Sequence, residues 1–203
     1  MILQTTEKQS TLTQTGKKEV TILYPGSFKP ITGAHIDLIK RYSSHPDVDR
    51  IVMFMSPSKR EGIDTDIAFD LIQNVLKEYP VDFVLDKKSY SPILAVYRWI
   101  ESQDREPGYY ALAASTKNND YVRVQEFTNN YSLHRFGKNL PSGVNIIELL
   151  LDVEPLTYEN GQPISATCVR DSLLNCDFDN FKTSYPNVDN KKVKLIWETF
   201  KQK

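Results

Sequence analysis

Five apolar runs stand out, "VTILY" (20–24), "RIVMFM" (50–55), "VDFVL" (81–85), "YYALAA" (109–114) and "VNIIELLLDV" (144–153), and most are too continuous for strands with one wet face. Such runs suit strands buried on both sides. Between them the period changes to that of a helix. "AHIDLIKRY" spaces Ile36, Ile39 and Tyr42 about a turn apart, and "DIAFDLIQNVLKEY" repeats Ile67, Leu71, Val75 and Leu76 before Pro80. "SPILAVYRWIESQ" gathers Ile93, Val96, Tyr97 and Ile100 on one face. Strand and helix periods alternating in this way predict an α/β fold, a Rossmann-like open parallel five-stranded sheet with helices on both faces. "ISATCVRDSLL" and "NKKVKLIWETFKQK" predict C-terminal helices, the last docking through Val193, Ile196, Trp197 and Phe200. The stretch 117–142 has no clear period, and "HRFGKNLPSG" within it reads as a surface loop.

The 203 residues, 40% of them hydrophobic, are enough for one core. The expected organisation is a polar arm over 1–18 and a single domain over 19–203. A formal net charge of −1 argues against a strongly electrostatic partner, so neither nucleic acid nor membrane is expected. No run is long enough to cross a bilayer, and the short apolar start does not resemble a signal peptide. Cys168 and Cys176 form no CxxC and read as reduced thiols. The expected setting is therefore cytoplasmic.

"YPGSFKPITGAH" (24–35) follows the first strand, where open parallel sheets place their ligands. Gly26 permits a tight turn, Pro30 stiffens the loop, and Gly33 and Ala34 keep the approach to the next helix free of bulk. The amides at that helix's start suit a phosphate, with Ser27 and Thr32 as hydroxyl donors and Lys29 as a positive charge. Neither a Gly-Lys-Ser/Thr ending nor a GxGxxG fingerprint is present.

The loop resembles the first motif of the nucleotidylyltransferase superfamily, Gly-Ser/Thr-Phe-x-Pro followed by a T/HxGH box. "YPGSFKPITGAHIDLIKR" is especially similar to bacterial phosphopantetheine adenylyltransferases. The resemblance implies that Thr32 and His35 are the box's working residues, and that Gly26, Ser27 and Phe28 belong to the nucleotide site. The family's glycine before the histidine is here Ala34. "ISATCVRDSL" (164–173), about 130 residues later, resembles the family's ISSTxIR motif, with Ala166 replacing a serine. By that likeness Ser165, Thr167 and Arg170 bind nucleotide phosphates, Ser165 or Thr167 capping the helix. "SPSKR" (56–60) is similar to the family's NPxKK segment, which assigns Lys59, helped by Arg60, to the acceptor phosphate. Ser115 and Lys117, in "AASTKNND", occupy the place where the family reads the nucleotide, and "ASTKNND" with "RVQEF" also resembles phage-encoded cytidylyltransferase-like proteins. A phage origin would put the protein in the host cytoplasm.

No catalytic triad or metal cluster is legible, and His45 and His134 have no ligand-like spacing. This suits nucleotidyl transfer, in which an acceptor phosphate attacks the α-phosphate of ATP or CTP and expels pyrophosphate. His35 and Thr32, by the resemblance, and Lys29, by its charge, are the expected catalytic residues, and Mg²⁺ is expected, bound mainly through nucleotide phosphates. AMP transfer from ATP to a small phosphorylated molecule is the leading expectation. A cytidylyltransferase, a nicotinamide-mononucleotide adenylyltransferase and a nucleotide-binding sensor without catalysis are the alternatives, and a homo-oligomer is compatible with all of them.

Overall fold

Five strands run parallel in the order β3-β2-β1-β4-β5, as seen in a computed structural model that describes residues 19–114, 120–132, 140–151 and 156–201. They are β1 (Val20–Gly26), β2 (Val48–Met55), β3 (Val81–Val84), β4 (Gly108–Leu112) and β5 (Val144–Ile146). The helices are α1 (Gly33–Ser43), α2 (Thr65–Leu76), α3 (Pro92–Ile100), α4 (Asp120–Ser132), α5 (Ala166–Leu174), α6 (Phe178–Thr183) and α7 (Asn190–Phe200). The sheet is therefore Rossmann-like. Its strand order reverses between β1 and β4, so a crevice opens beyond the carboxyl end of β1.

The continuous apolar runs have a direct structural meaning. Neighbouring residues of one strand enter different cores: Ile22, Ile51 and Met53 face the side covered by α1, α2, α5, α6 and α7, while Leu23, Val52 and Phe54 face α3 and α4. A slip of one residue would exchange two equally apolar faces, so pairing must be fixed elsewhere. The local signals at helix starts contribute to this. Asp64 caps α2, Ser91 caps α3 with Pro92 at the first turn, and Asp189 caps α7.

Two expectations need correction. Among the described residues of the run 144–153 the strand is only three residues long: Ile147 N–H still reaches Tyr110 O (2.9 Å), and Ile147, Leu149 and Leu151 pack over the α1 side of the sheet. The stretch 117–142 contains a helix, α4, whose Val124, Phe127 and Tyr131 are buried at helical spacing. The surrounding Asn, Thr and Gln residues, weak helix formers or solvent-facing, obscured that period. The short helix α6 was not expected at all; it packs Phe181 against Tyr185 and Trp197. The arm 1–18 and His134 lie outside the described residues. Among the described residues no helix is long and apolar enough to cross a membrane.

Candidate active site

Beyond β1 the chain turns inward before it turns into α1. Phe28 takes a left-handed backbone (φ 52°) and buries its ring. That ring needs the space a Cβ on Gly26 would fill, since such an atom would lie 2.7 Å from Phe28 Cε1. Phe28 then meets Tyr24 and His35 edge-on, both with ring centroids 5.1 Å away. Phe28 is thus a support for the His35 ring. Gly33 also serves the protein itself: a Cβ there would come within 2.8 Å of Tyr185 Cα and collide with the Ser184 carbonyl. The loop is tied to that same segment, with Gly33 N–H donating to Ser184 O (3.2 Å) and Tyr185 O–H donating to Ile31 O (2.7 Å). Burial pushes the Tyr185 hydroxyl well above its ordinary pKa, which keeps it a donor.

The spacing Thr32-x-x-His35 is a capping box. Thr32 is the N-cap of α1, its Oγ1 accepting from the His35 backbone N–H (3.4 Å), while Thr32 N–H donates to His35 Nδ1 (3.0 Å). Thr32 Oγ1 also lies 2.9 Å from Nδ1. A histidine that accepts at Nδ1 carries its ring hydrogen on Nε2, so the cap selects the tautomer in which Nε2 is the donor. The two residues singled out by the sequence motif are therefore one device.

Lys29 and Arg170 are both buried and engaged with groups of the protein itself. Lys29 is 1% exposed and donates to the carbonyl oxygens of Ser56 and Ser58, the latter at 2.6 Å. Desolvation lowers its pKa to about 8, against the pull of Asp64 and with the push of Arg60. It fastens the β2–α2 loop to the β1–α1 loop. Arg170, 4% exposed, donates to Glu61 Oε2 (2.5 Å), Lys29 O (3.3 Å) and Thr167 Oγ1 (3.2 Å). Its guanidinium joins the first and last motif segments to Glu61, the residue that follows SPSKR, and a carboxylate takes the place expected for a phosphate. Ser165, rather than Thr167, caps α5 by accepting from Cys168 N–H (3.3 Å).

Lys59 is 74% exposed and pairs with Asp64 (3.0 Å); the Lys59 contact, with the amides of Asp66 and Ile67, holds the Asp64 carboxyl below the usual carboxylate range. Arg60 is also exposed. Both line a cavity of about 360 Å³ together with Ser27, Ser56, Ser58 and Gly26. Pro25, Pro92 and Arg123 complete its wall. Sequence reasoning missed Arg123 because α4 itself was missed, although the Val124–Phe127–Tyr131 period would have placed it at the helix's first turns. It also missed Glu61 and Tyr185, whose partners lie 109 and 154 residues away. Ser115 and Lys117 lie outside the described residues.

No family model matches the chain. It is 37% identical over 75 residues to a phosphopantetheine adenylyltransferase of Hahella chejuensis, an alignment covering 37% of this chain and 45% of that protein. The likeness is to adenylyltransferases. A Clostridium botulinum phosphopantetheine adenylyltransferase is 32% identical over 80 residues, covering 34% of this chain and 49% of the relative. The chain thus matches about half the length of these curated relatives. The structure of Plasmodium falciparum nicotinic acid mononucleotide adenylyltransferase complexed with APC aligns over 89% of this chain and 95% of the other, with a TM-score of 0.50 and 12% identity. That second likeness is one of fold.

Proposed function

We propose that the protein transfers AMP from ATP to a small phosphorylated acceptor with release of pyrophosphate. The observation that carries this reading is the Thr32–His35 cap, which directs a fixed Nε2 donor from the start of α1 at the strand-order reversal. An oxygen of the acceptor phosphate attacks the α-phosphorus of the nucleotide. The bond from that phosphorus to the bridging oxygen of the β-phosphate breaks, and both electrons leave with pyrophosphate. His35 Nε2–H donates to a non-bridging α-phosphate oxygen as charge builds there, and Thr32 holds the ring in the productive tautomer. Ser165 and Thr167, with the free amides at the start of α5, bind the phosphates of the leaving group, and Arg170 joins them when nucleotide displaces Glu61. Lys59 and Arg60 receive the acceptor phosphate. Gly26 and Ser27 line the same cavity as these two cations, Lys29 holds the loops in register, and Phe28 backs the histidine.

Among the described residues no group of three His, Cys, Asp or Glu could hold a metal ion. Glu61 and Asp64, which pair with the cavity residues Arg60 and Lys59, are engaged, Glu61 also facing Arg170. The residues present therefore fit a Mg²⁺ carried by nucleotide phosphates and water, which would neutralise phosphate charge. The relatives named for adenylyl transfer support ATP as the donor, and the protein works in the cytoplasm in this reading.

The test is pyrophosphate release with Mg²⁺ and either ATP or CTP, across phosphopantetheine, nicotinamide mononucleotide, glycerol 3-phosphate and ribose 5-phosphate. Release that needs ATP and one acceptor supports the proposal. Release with CTP alone would make the protein a cytidylyltransferase, and nucleotide binding with no release for any acceptor would favour a sensor.

A further inference from the structure

The cavity beyond β1 and β2 has an unusual wall for a pocket that takes an organic molecule. Such sites are mostly lined by hydrophobic and aromatic side chains with a few polar groups. Here, among the described residues, two prolines are the only apolar side chains, and no aromatic ring or long aliphatic chain contributes. The rest is Gly26, three serines and three cations, Lys59, Arg60 and Arg123. Arg123 comes from a firmly packed helix. Phe127 of α4 lies against Tyr97 of α3 (5.3 Å), Asn130 donates to the Tyr97 hydroxyl (2.9 Å), and Tyr131 O–H donates to Glu101 (2.8 Å). These contacts run α4 alongside α3 and bring Arg123 and Pro92 together at the cavity. A cation held by a packed helix keeps its position better than one on a loop.

Resting on the transfer reading of this site, we infer that Arg123 is an acceptor-binding residue and that the acceptor is a small, hydroxyl-rich phosphate of the sugar-phosphate or polyol-phosphate class. The three cations match a phosphate dianion, with the arginines able to grip it through two parallel hydrogen bonds. The serine hydroxyls match alcohol groups, each able to donate and accept. A volume of about 360 Å³ sits at the small end of ligand pockets. An acceptor carrying a ring to stack or an apolar arm to bury finds no matching wall among these residues.

The test is calorimetric titration of the full chain with ribose 5-phosphate, glycerol 3-phosphate and 4′-phosphopantetheine, repeated on Arg123→Gln, with ATP titrated in parallel. The expected result is that a sugar or polyol phosphate binds more tightly than phosphopantetheine. Arg123→Gln should weaken it by about tenfold or more, the scale of one lost charge-assisted hydrogen bond, and leave ATP affinity unchanged. Tighter binding of phosphopantetheine, or an Arg123→Gln affinity equal to the wild type, would overturn the inference. If ATP fails to bind while ribose 5-phosphate binds as expected, the transfer reading fails and the polar phosphate site stands. If ATP binds and neither small phosphate does, the inference fails and the transfer reading stands.

Discussion

Replacing Lys29 with Met should change how stability depends on pH. In the folded protein the Lys29 ammonium is buried between two loops, and desolvation lowers its pKa from 10.5 to about 8. In the unfolded chain it titrates near its ordinary value. Below pH 8 both states carry the proton, so the folded state bears the whole cost of the buried charge. Between the two pKa values the unfolded chain holds a proton that the folded protein has shed, so stability rises with pH. At about 1.4 kcal/mol per unit, the wild type should gain about 2 kcal/mol between about pH 7 and about pH 9.5. Lys29→Met lacks this gain. Tyr42 and Tyr185, whose pKa values burial raises, ionise first in the unfolded chain and lower stability above about pH 10, but they do so equally in both proteins. The assay is urea unfolding followed by tryptophan fluorescence at several pH values. Parallel curves for wild type and Lys29→Met would show that the ammonium is not desolvated as described, and would break the argument that it fastens the two loops.

Other consequences are equally direct. Thr32→Val removes the cap's oxygen and should lower stability by about 1 kcal/mol, with Thr32→Ser close to wild type; equal thermal midpoints for all three would remove the capping box. Gly33→Ala forces a Cβ against the backbone at Ser184 and Tyr185, and should cost about 1–3 kcal/mol in denaturant unfolding; an unchanged midpoint would mean that α1 and the 184–185 segment are not in contact. Glu61→Gln keeps an acceptor near Arg170 but removes its charge. It should lower stability by about 1 kcal/mol and enlarge the thermal stabilisation by ATP, whereas a smaller ATP shift than wild type would show that Glu61 does not compete with nucleotide phosphate.

The sheet was legible because burial on both faces leaves an apolar mark at consecutive strand positions, as at Ile22 and Leu23, while Asp82 of β3 and Asn145 of β5 are exposed. The helix α3 was legible from the period of Ile93, Val96, Tyr97 and Ile100, and its cap is Ser91. The same reasoning failed where composition hid the period, in α4, and where an apolar run ended as a strand at Ile146 and went on to pack over the α1 side of the sheet. In the site, Thr32 and His35 could be read because their partnership is local, one helical turn apart. Gly26 was read as permitting a tight turn and Gly33 as keeping the helix approach free of bulk, whereas the space at the two glycines belongs to Phe28 and to the 184–185 backbone. Lys29 and Arg170 were read as cations for nucleotide phosphates, with no partner in the protein itself. Their acceptors, Ser56, Ser58 and Glu61, become neighbours only when three distant segments meet, and sequence spacing carries no trace of that meeting.

The most direct measurement of the central claim is transfer of label from [α-³²P]ATP to the acceptor found in the panel, in wild type and in His35→Ala. Label should appear in the product, with one pyrophosphate released per label transferred. Turnover should fall by about 10²–10³ for His35→Ala, at an unfolding midpoint that shows the variant is folded. Equal turnover in the two proteins would remove His35 from the chemistry and contradict the account.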